Sequence, residues 1–288
     1  MLKLYTPMNK MLRTIFVSIL CLIYATTAWA AFDNYGSSAR ILSLGDASAA
    51  LTDEPSVMRA NPGALGFLPQ KGIQASLSRL YDLDELSERD VLLAYPFRSY
   101  TLGVGFFVFG KSDYYQESVL NLTFAYRINN RLSLGTNLKY LRVSFSKDYK
   151  DLSAFSTDIG SAYKINEKIQ LGLAAINLNR PHLVKNSNDI PANFNLGVVL
   201  FPFPEVSLHL DLTYEDRYKE QLHFGQEIKL LKNLPLRFGF QTSPARYTLG
   251  LGFIINKFVI DYAYLNHSIL GNTHKFSFSY RWGRRESE

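Results

Sequence analysis

From about Gly72 onward, large apolar side chains alternate with small, polar or charged ones along most of the chain. Near the C-terminus Phe276, Phe278, Tyr280 and Trp282 are interleaved with Ser277, Ser279 and Arg281. A β-strand sends successive side chains to opposite faces, so this segment has one apolar face and one polar face. The pattern recurs where Leu120, Leu122, Phe124 and Tyr126 oppose Asn121, Thr123, Ala125 and Arg127. It recurs again where Leu208, Leu210, Leu212 and Tyr214 oppose His209, Asp211 and Thr213, and where Phe258, Ile260, Tyr262 and Tyr264 oppose Val259, Asp261 and Ala263. Read along the chain, it predicts about fourteen strands, most of the nine to eleven residues or slightly more that a tilted strand needs to cross a membrane. Their predicted spans are 72–80, 89–97, 100–109, 117–128, 131–145, 153–165, 168–178, 191–201, 205–215, 219–230, 234–241, 246–255, 257–265 and 273–283.

The connections alternate in length. Short ones fall at Arg98-Ser99, Asn129-Asn130, Asn166-Glu167 and Asn256-Lys257, with proline-containing ones at Phe201–Pro204 and Leu231–Pro235. Asparagine suits tight hairpins because it tolerates left-handed backbone angles. Longer polar links lie between them at Tyr81–Glu88, Gly110–Gln116, Ser146–Leu152, Asn179–Asp189 and Asn266–Asn272. Short periplasmic turns alternating with longer external loops are the rhythm of an outer-membrane barrel. A soluble sandwich has no reason to alternate its loops and should carry more charge on its outer faces. The predicted fold is therefore all-β: a transmembrane antiparallel β-barrel of about fourteen strands, both ends on the periplasmic side.

The N-terminus fits that reading. Lys3, Lys10 and Arg13 precede an apolar run from Ile15 to about Ala25, followed by Ala28-Trp29-Ala30. A basic start, a short apolar core and a small-residue exit predict a signal peptide cleaved after Ala30. The run is too short for a spanning helix, which needs roughly 20 residues. The domain organisation expected is a signal peptide over 1–30, a lumenal segment over 31–71, the barrel over 72–283 and a polar tail over 284–288. Cys21 is the only cysteine and falls in the leader; Leu20 before it argues against a lipoprotein. The formal charge of +6 falls to +3 once the leader's three basic residues are removed. No basic cluster is interleaved with aromatics, so no nucleic-acid partner is expected. Composition adds that 47% of residues are hydrophobic and 14% aromatic, with 20 Phe and 18 Tyr against 2 Trp. With a mean hydropathy of −0.06 the chain is too polar for a helical membrane bundle; it suits a barrel with aromatic girdles and a polar lumen.

The same phase directs Gly103, Gly105, Gly135, Gly160, Gly172, Gly197, Gly225, Gly239, Gly250 and Gly252 into the lumen. Glycine weakens a strand unless a closely approaching backbone needs the room. A partly filled lumen follows, and the filler is the segment 31–71, which lacks a long two-residue period. Inward positions also carry His209, Asp211, His223 and Glu227, whose hairpin through Asp216-Arg217 could set Asp211 opposite His223. Such a pair could hold a proton, bind a cation or orient polar cargo; the alternative is a set of lumen residues solvated or tied to the filler. Lys139, Asp158, Arg237, Asp261 and Arg281 share the face, and their mixed signs suggest an internal network more than an ion-selective pore.

Catalysis has little in its favour. His182 and His267 lie on external loops near Ser187 and Ser268, but no Ser-His-acid spacing stands out. The five histidines are scattered with no paired spacing, so neither a metal nor another cofactor is expected.

The segment 36–66 carries Gly36-Ser37-Ser38-Ala39-Arg40, then Leu44-Gly45-Asp46, Asp53-Glu54-Pro55-Ser56 and Ala60-Asn61-Pro62-Gly63-Ala64-Leu65-Gly66. It resembles the N-terminal hatch of FadL-like outer-membrane proteins, and more closely the PorV/PorQ branch. The matching positions are Ala39, Arg40, Leu44, Gly45, Asp53, Asn61 and Pro62; Gly63-Ala64 reverses the family's usual Ala-Gly order. The resemblance implies a hatch inside a fourteen-strand barrel in the bacterial outer membrane. It also implies passage of hydrophobic or amphipathic small molecules, or, on the PorV/PorQ side, an accessory or docking role for secretion-system proteins. An outer-membrane lipid hydrolase is a further alternative. Outer-membrane lipids are expected partners, and the aromatic last strand resembles the signal read by the barrel-assembly machinery.

Overall fold

The computed structural model describes residues 31–32, 38–112, 114–146, 149–184, 190–215, 219–267 and 270–285. The expected leader and its cleavage point at Ala30 lie outside the described residues, as do Gly36, Ser37, Ser187, Asp216, Arg217 and Ser268. Fourteen strands follow one another from residue 70: β1 Gln70–Arg79, β2 Ser87–Pro96, β3 Tyr100–Lys111, β4 Tyr115–Arg127, β5 Leu132–Phe145, β6 Leu152–Asn166 and β7 Ile169–Ile176. The second half comprises β8 Asn193–Phe203, β9 Val206–Glu215, β10 Gln221–Leu231, β11 Leu234–Gln241, β12 Arg246–Ile255, β13 Phe258–His267 and β14 Gly271–Arg284. Each strand pairs with its sequence neighbours, and β1 closes antiparallel on β14 to complete the barrel. The seam sets Gly72 opposite Arg281, Ile73 opposite Tyr280 and Leu77 opposite Phe276.

The predicted spans agree with these strands to within about three residues at either end. Two connections differ. β8 runs on to Phe203, through the expected turn at Phe201–Pro204, because Pro202, which lacks an N–H, falls where the ladder to β9 skips between Leu200 and Phe203. The longest connection covers 177–192, wider than the expected Asn179–Asp189, because β7 stops at Ile176.

Burial is inverted relative to a soluble protein. On β4 the apolar row Leu120, Leu122, Phe124 and Tyr126 is 43–47% exposed, while Asn121, Thr123 and Ala125 are buried. The outward faces of the other strands repeat this, with Leu210, Leu249, Phe276 and Phe278 exposed. Such a surface is stable where lipid covers it. At the short-turn end the apolar band closes in paired aromatics, Tyr95 tilted against Phe97 and Tyr280 stacked on Trp282. Beyond them lie Lys71, Arg98, Arg127, Arg131, Lys164, Lys168, Lys229, Lys232, Lys257, Arg284 and Arg285, against Glu167 and Glu205 among the described residues of that rim. Among the described residues no helix is long and apolar enough to cross a membrane.

The lumen is occupied by residues 38–69. They form helix α1 (Ala39–Ser43), helix α2 (Val57–Ala60) and a 3-10 helix (Pro62–Phe67). Ser38 caps α1 by accepting the Ile41 N–H, and Gly45 leaves it with φ +66°, a left-handed angle that favours glycine. Asn61 accepts the Gly63 N–H and Pro62 occupies the first helical position, so the corner is capped and stiffened at once. Ile41, Leu51, Val57, Met58 and Leu65 pack with Leu92 and Ala125 of the wall into a small apolar core inside the barrel.

Candidate functional site

The wall meets the hatch on the row of inward glycines. A Cβ added at Gly135 would lie 2.4 Å from the Pro62 carbonyl oxygen, and one at Gly172 1.9 Å from that of Ala49. At Gly225 the obstacle is Leu44, at Gly239 the Gly45 nitrogen 2.1 Å away, and at Gly250 the Ser43 side chain. Gly103 faces Leu65 and Met58, Gly160 faces Asn61, and Gly197 faces Ala49. Gly105 and Gly252 instead make room chiefly for wall side chains, Leu92 and Asp261. No side chain larger than hydrogen fits where backbone lies against backbone, so this arc of glycines is the seat of the hatch.

Polar ties fix the hatch on that seat. Arg40, on α1, donates to Glu227 on β10 (Nε to Oε2 2.9 Å) and to Asp53 (2.7 Å), and lies 3.5 Å from Glu54. Arg237 on β11 continues the chain of charge, bonding Glu227 and Asp261 at 2.6 Å each. Burial works against the charge on Asp53, but Arg40, helped by Arg281, outweighs it and holds that carboxyl below the usual carboxylate range. Ala39 donates its N–H to Ser277 on β14 at 2.7 Å. Asp211 accepts the N–H groups of Ser48 and Ala49, both at 2.7 Å, through a single oxygen. The Gly45 carbonyl accepts from His223 Nδ1 at 2.7 Å, and its N–H donates to Thr248. Asn61 donates to the Ala49 and Ser161 carbonyls at 2.6 and 2.9 Å.

Asp211 and His223 are paired in register across β9 and β10. Each nonetheless binds a different stretch of hatch backbone. His209 lies on the same face, hydrogen-bonded through Nε2 to Ser207 at 2.9 Å. Lys139 and Asp158 form a separate cluster on β5 and β6, 2.7 Å apart, with Asn177 and Asn137 completing it. Asn137 also donates to the Met58 carbonyl, so this cluster too holds the hatch.

Several anchors were not singled out from the sequence. Glu54 is fully buried and accepts from Ser38 and Ser56 as well as Arg40. Arg59 lies over the Phe107 ring at 4.7 Å and within 3.4 Å of Asp90, while Lys275 bonds Glu88 at 2.8 Å. The available signal was their place on inward strand positions or beside the Asp53 segment. Among the described residues no group of three or more His, Cys, Asp or Glu is placed to hold a metal ion.

The hatch leaves a cavity of about 130 Å³ toward the short-turn end, bounded by Arg40, Leu51, Asp53, Phe201, His209 and Lys229. Its lining mixes apolar residues, Leu51, Val199 and Phe201, with the charged groups of the Arg40 network.

No protein-family model matches the chain, and no curated protein matches it. Among solved structures it is similar to the CymD monoaromatic hydrocarbon channel (TM-score 0.68, 14% identity), over 90% of this chain and 100% of that one. A Pseudomonas aeruginosa FadL homologue aligns at TM-score 0.66 and 14% identity over 88% and 99% of the two chains. Its fold is that of the FadL-type outer-membrane channels. The Pseudomonas putida toluene transporter TodX extends the likeness (TM-score 0.63, 12% identity, 87% and 98% covered). At these identities the FadL-type likeness is one of architecture, and the chain spans the full length of the structures it resembles.

Proposed function

We propose that this chain is a passive outer-membrane channel for small hydrophobic or amphipathic compounds. The observation that carries the reading is the full-length FadL-type barrel with its lumen closed by a hatch on discrete polar ties, a fold it shares with a monoaromatic hydrocarbon channel and a toluene transporter. In this reading a solute passes by a local shift of the hatch on its glycine seat. Exposed Leu83, Tyr114, Tyr149 and Leu270 on the external connections supply an apolar first contact. In this reading the leader 1–30 is removed after Ala30 on export, and the aromatic row of β14 is what the barrel-assembly machinery recognises. Deleting the gene should lower uptake of a hydrophobic fluorescent probe by intact cells, and plasmid-borne protein should restore it. Unchanged uptake would remove the reading.

A second reading, the PorV/PorQ-like docking barrel of a secretion system, draws on the resemblance of the hatch motif and on two short external connections. Between β3 and β4 only residues 112–114 intervene, and between β11 and β12 only 242–245. Little external chain is left there for a large solute-binding groove. Crosslinking in cells followed by mass spectrometry distinguishes the two, since docking requires a stoichiometric protein partner.

A further inference from the structure

We infer that the lipid face of β2–β6 carries a site for one anionic glycerophospholipid, with an acyl chain in a groove of the wall and the phosphate on arginines at the short-turn rim. The groove has a volume of about 670 Å³ and is bounded by Leu93, Leu102, Val104, Leu122, Leu138 and Thr157. It arises from side-chain size. Val104, Thr136 and Thr157 are small outward residues set among Phe106, Phe124 and Phe155. The wall beneath is unbroken, since the ladders from β2 to β6 run without a bulge.

Below the groove stands a run of rings in contact: Tyr95 tilted on Phe97 at 4.7 Å, Phe97 stacked on Tyr100 at 4.5 Å, and Tyr100 near Phe124 at 6.1 Å. Aromatic rings of this kind sit at the membrane–water interface. Just past them, in the two turns, lie Arg98 and Arg131; Arg127, on the inward phase of β4, braces the first turn by donating to the Arg98 carbonyl at 3.2 Å. Lys71 is 4.1 Å above the Tyr95 ring. Neither turn, 97–99 or 128–131, contains an acidic residue.

The spacing matches a lipid. Leu102 lies four positions from Arg98 and Leu138 seven from Arg131, which at about 3.3 Å per residue on a tilted strand is roughly 10–20 Å, around half the hydrocarbon thickness. Guanidinium groups bind phosphate oxygens in bidentate fashion, and two adjacent turns with positive charge and no carboxylate prefer a headgroup with net negative charge.

The test is native mass spectrometry of the full chain, released from micelles doped with equal phosphatidylglycerol and phosphatidylethanolamine. The expected result is selective retention of phosphatidylglycerol, reduced about fivefold by each of R98E and R131E. T136F with T157F should lower retention of both lipids while the arginines stay in place, because the groove is then filled. K232E with K257E, on turns of the opposite wall, should change nothing; heat-modifiable migration confirms that every variant is folded. Equal retention of the two lipids, equal loss in the opposite-wall pair, or displacement by inorganic phosphate with no effect of filling the groove would each overturn the site. Occupancy by lipopolysaccharide in place of the phospholipid would overturn it as well.

Discussion

Removing the Arg40 guanidinium would leave Glu54 and Glu227 inside the lumen without their shared countercharge from the hatch. Breaking a buried pair in this way costs about 3–5 kcal/mol, because an uncompensated charge stays behind. Arg40→Met should therefore loosen the hatch while the barrel, stabilised by its own ladders, still folds. Raised ion conductance in planar bilayers and faster trypsin cleavage at Arg59 would register the change; conductance equal to the parent would place the anchoring elsewhere. Arg40→Lys keeps the charge but not the fork that reaches Glu227 and Asp53 together, and an intermediate conductance is expected. Asp211 permits a finer comparison. Asp211→Asn retains an oxygen for the Ser48 and Ala49 amides, whereas Asp211→Ala leaves both without a partner, at about 1–3 kcal/mol each. Hydrogen exchange at those two amides should rise strongly in the alanine variant and little in the asparagine one.

At the scale of elements, the hatch and the wall are complementary surfaces of backbone. Gly135→Val on β5 would put a branched side chain where the Pro62 carbonyl lies, so the 3-10 helix at 62–67 must leave its seat. The barrel should still run as a folded, heat-modifiable species, but proteolysis within residues 56–67 should appear; an intact hatch would mean that the seat tolerates filling. The strands were legible in the sequence because lipid on one side and lumen on the other impose a two-residue period on every one of them. The inward phase of the glycines and the pairing of Asp211 with His223 followed from the same period and from hairpin length. What these groups bind did not follow. Gly45 O and the Ser48 and Ala49 N–H groups are backbone atoms, which leave no mark in the choice of side chain, and they lie more than 160 residues from their partners. Glu54 was missed for a related reason. Its burial depends on Ser38 and Ser56 closing over it, and serines of this kind look like ordinary turn residues.

Across the whole molecule, hatch and wall are linked at both ends of the chain, since Ala39 bonds Ser277 on the last strand and Arg285 bonds the Gly66 carbonyl. With Cys21 the single cysteine of the chain, and that one in the segment expected to be a leader, an A39C and S277C pair would form a removable staple. If solute passes by a shift of the hatch, oxidation should stop probe uptake and a reductant should restore it; uptake indifferent to the staple would direct the path elsewhere. The glycine seat also bears on how the object is made. Hatch contacts fall on β3, β5 and β6, on β7 and β8, and on β10 to β12, before the circle is completed where β14 meets β1. If the hatch serves as a mandrel on which the hairpins are bent to their final curvature, it must be in place before the seam is joined. A barrel refolded from residues 70–288 alone, with the peptide 31–69 added afterwards, should fail to regain the closed, low-conductance state, because a former cannot be slipped inside a hoop that has already been joined.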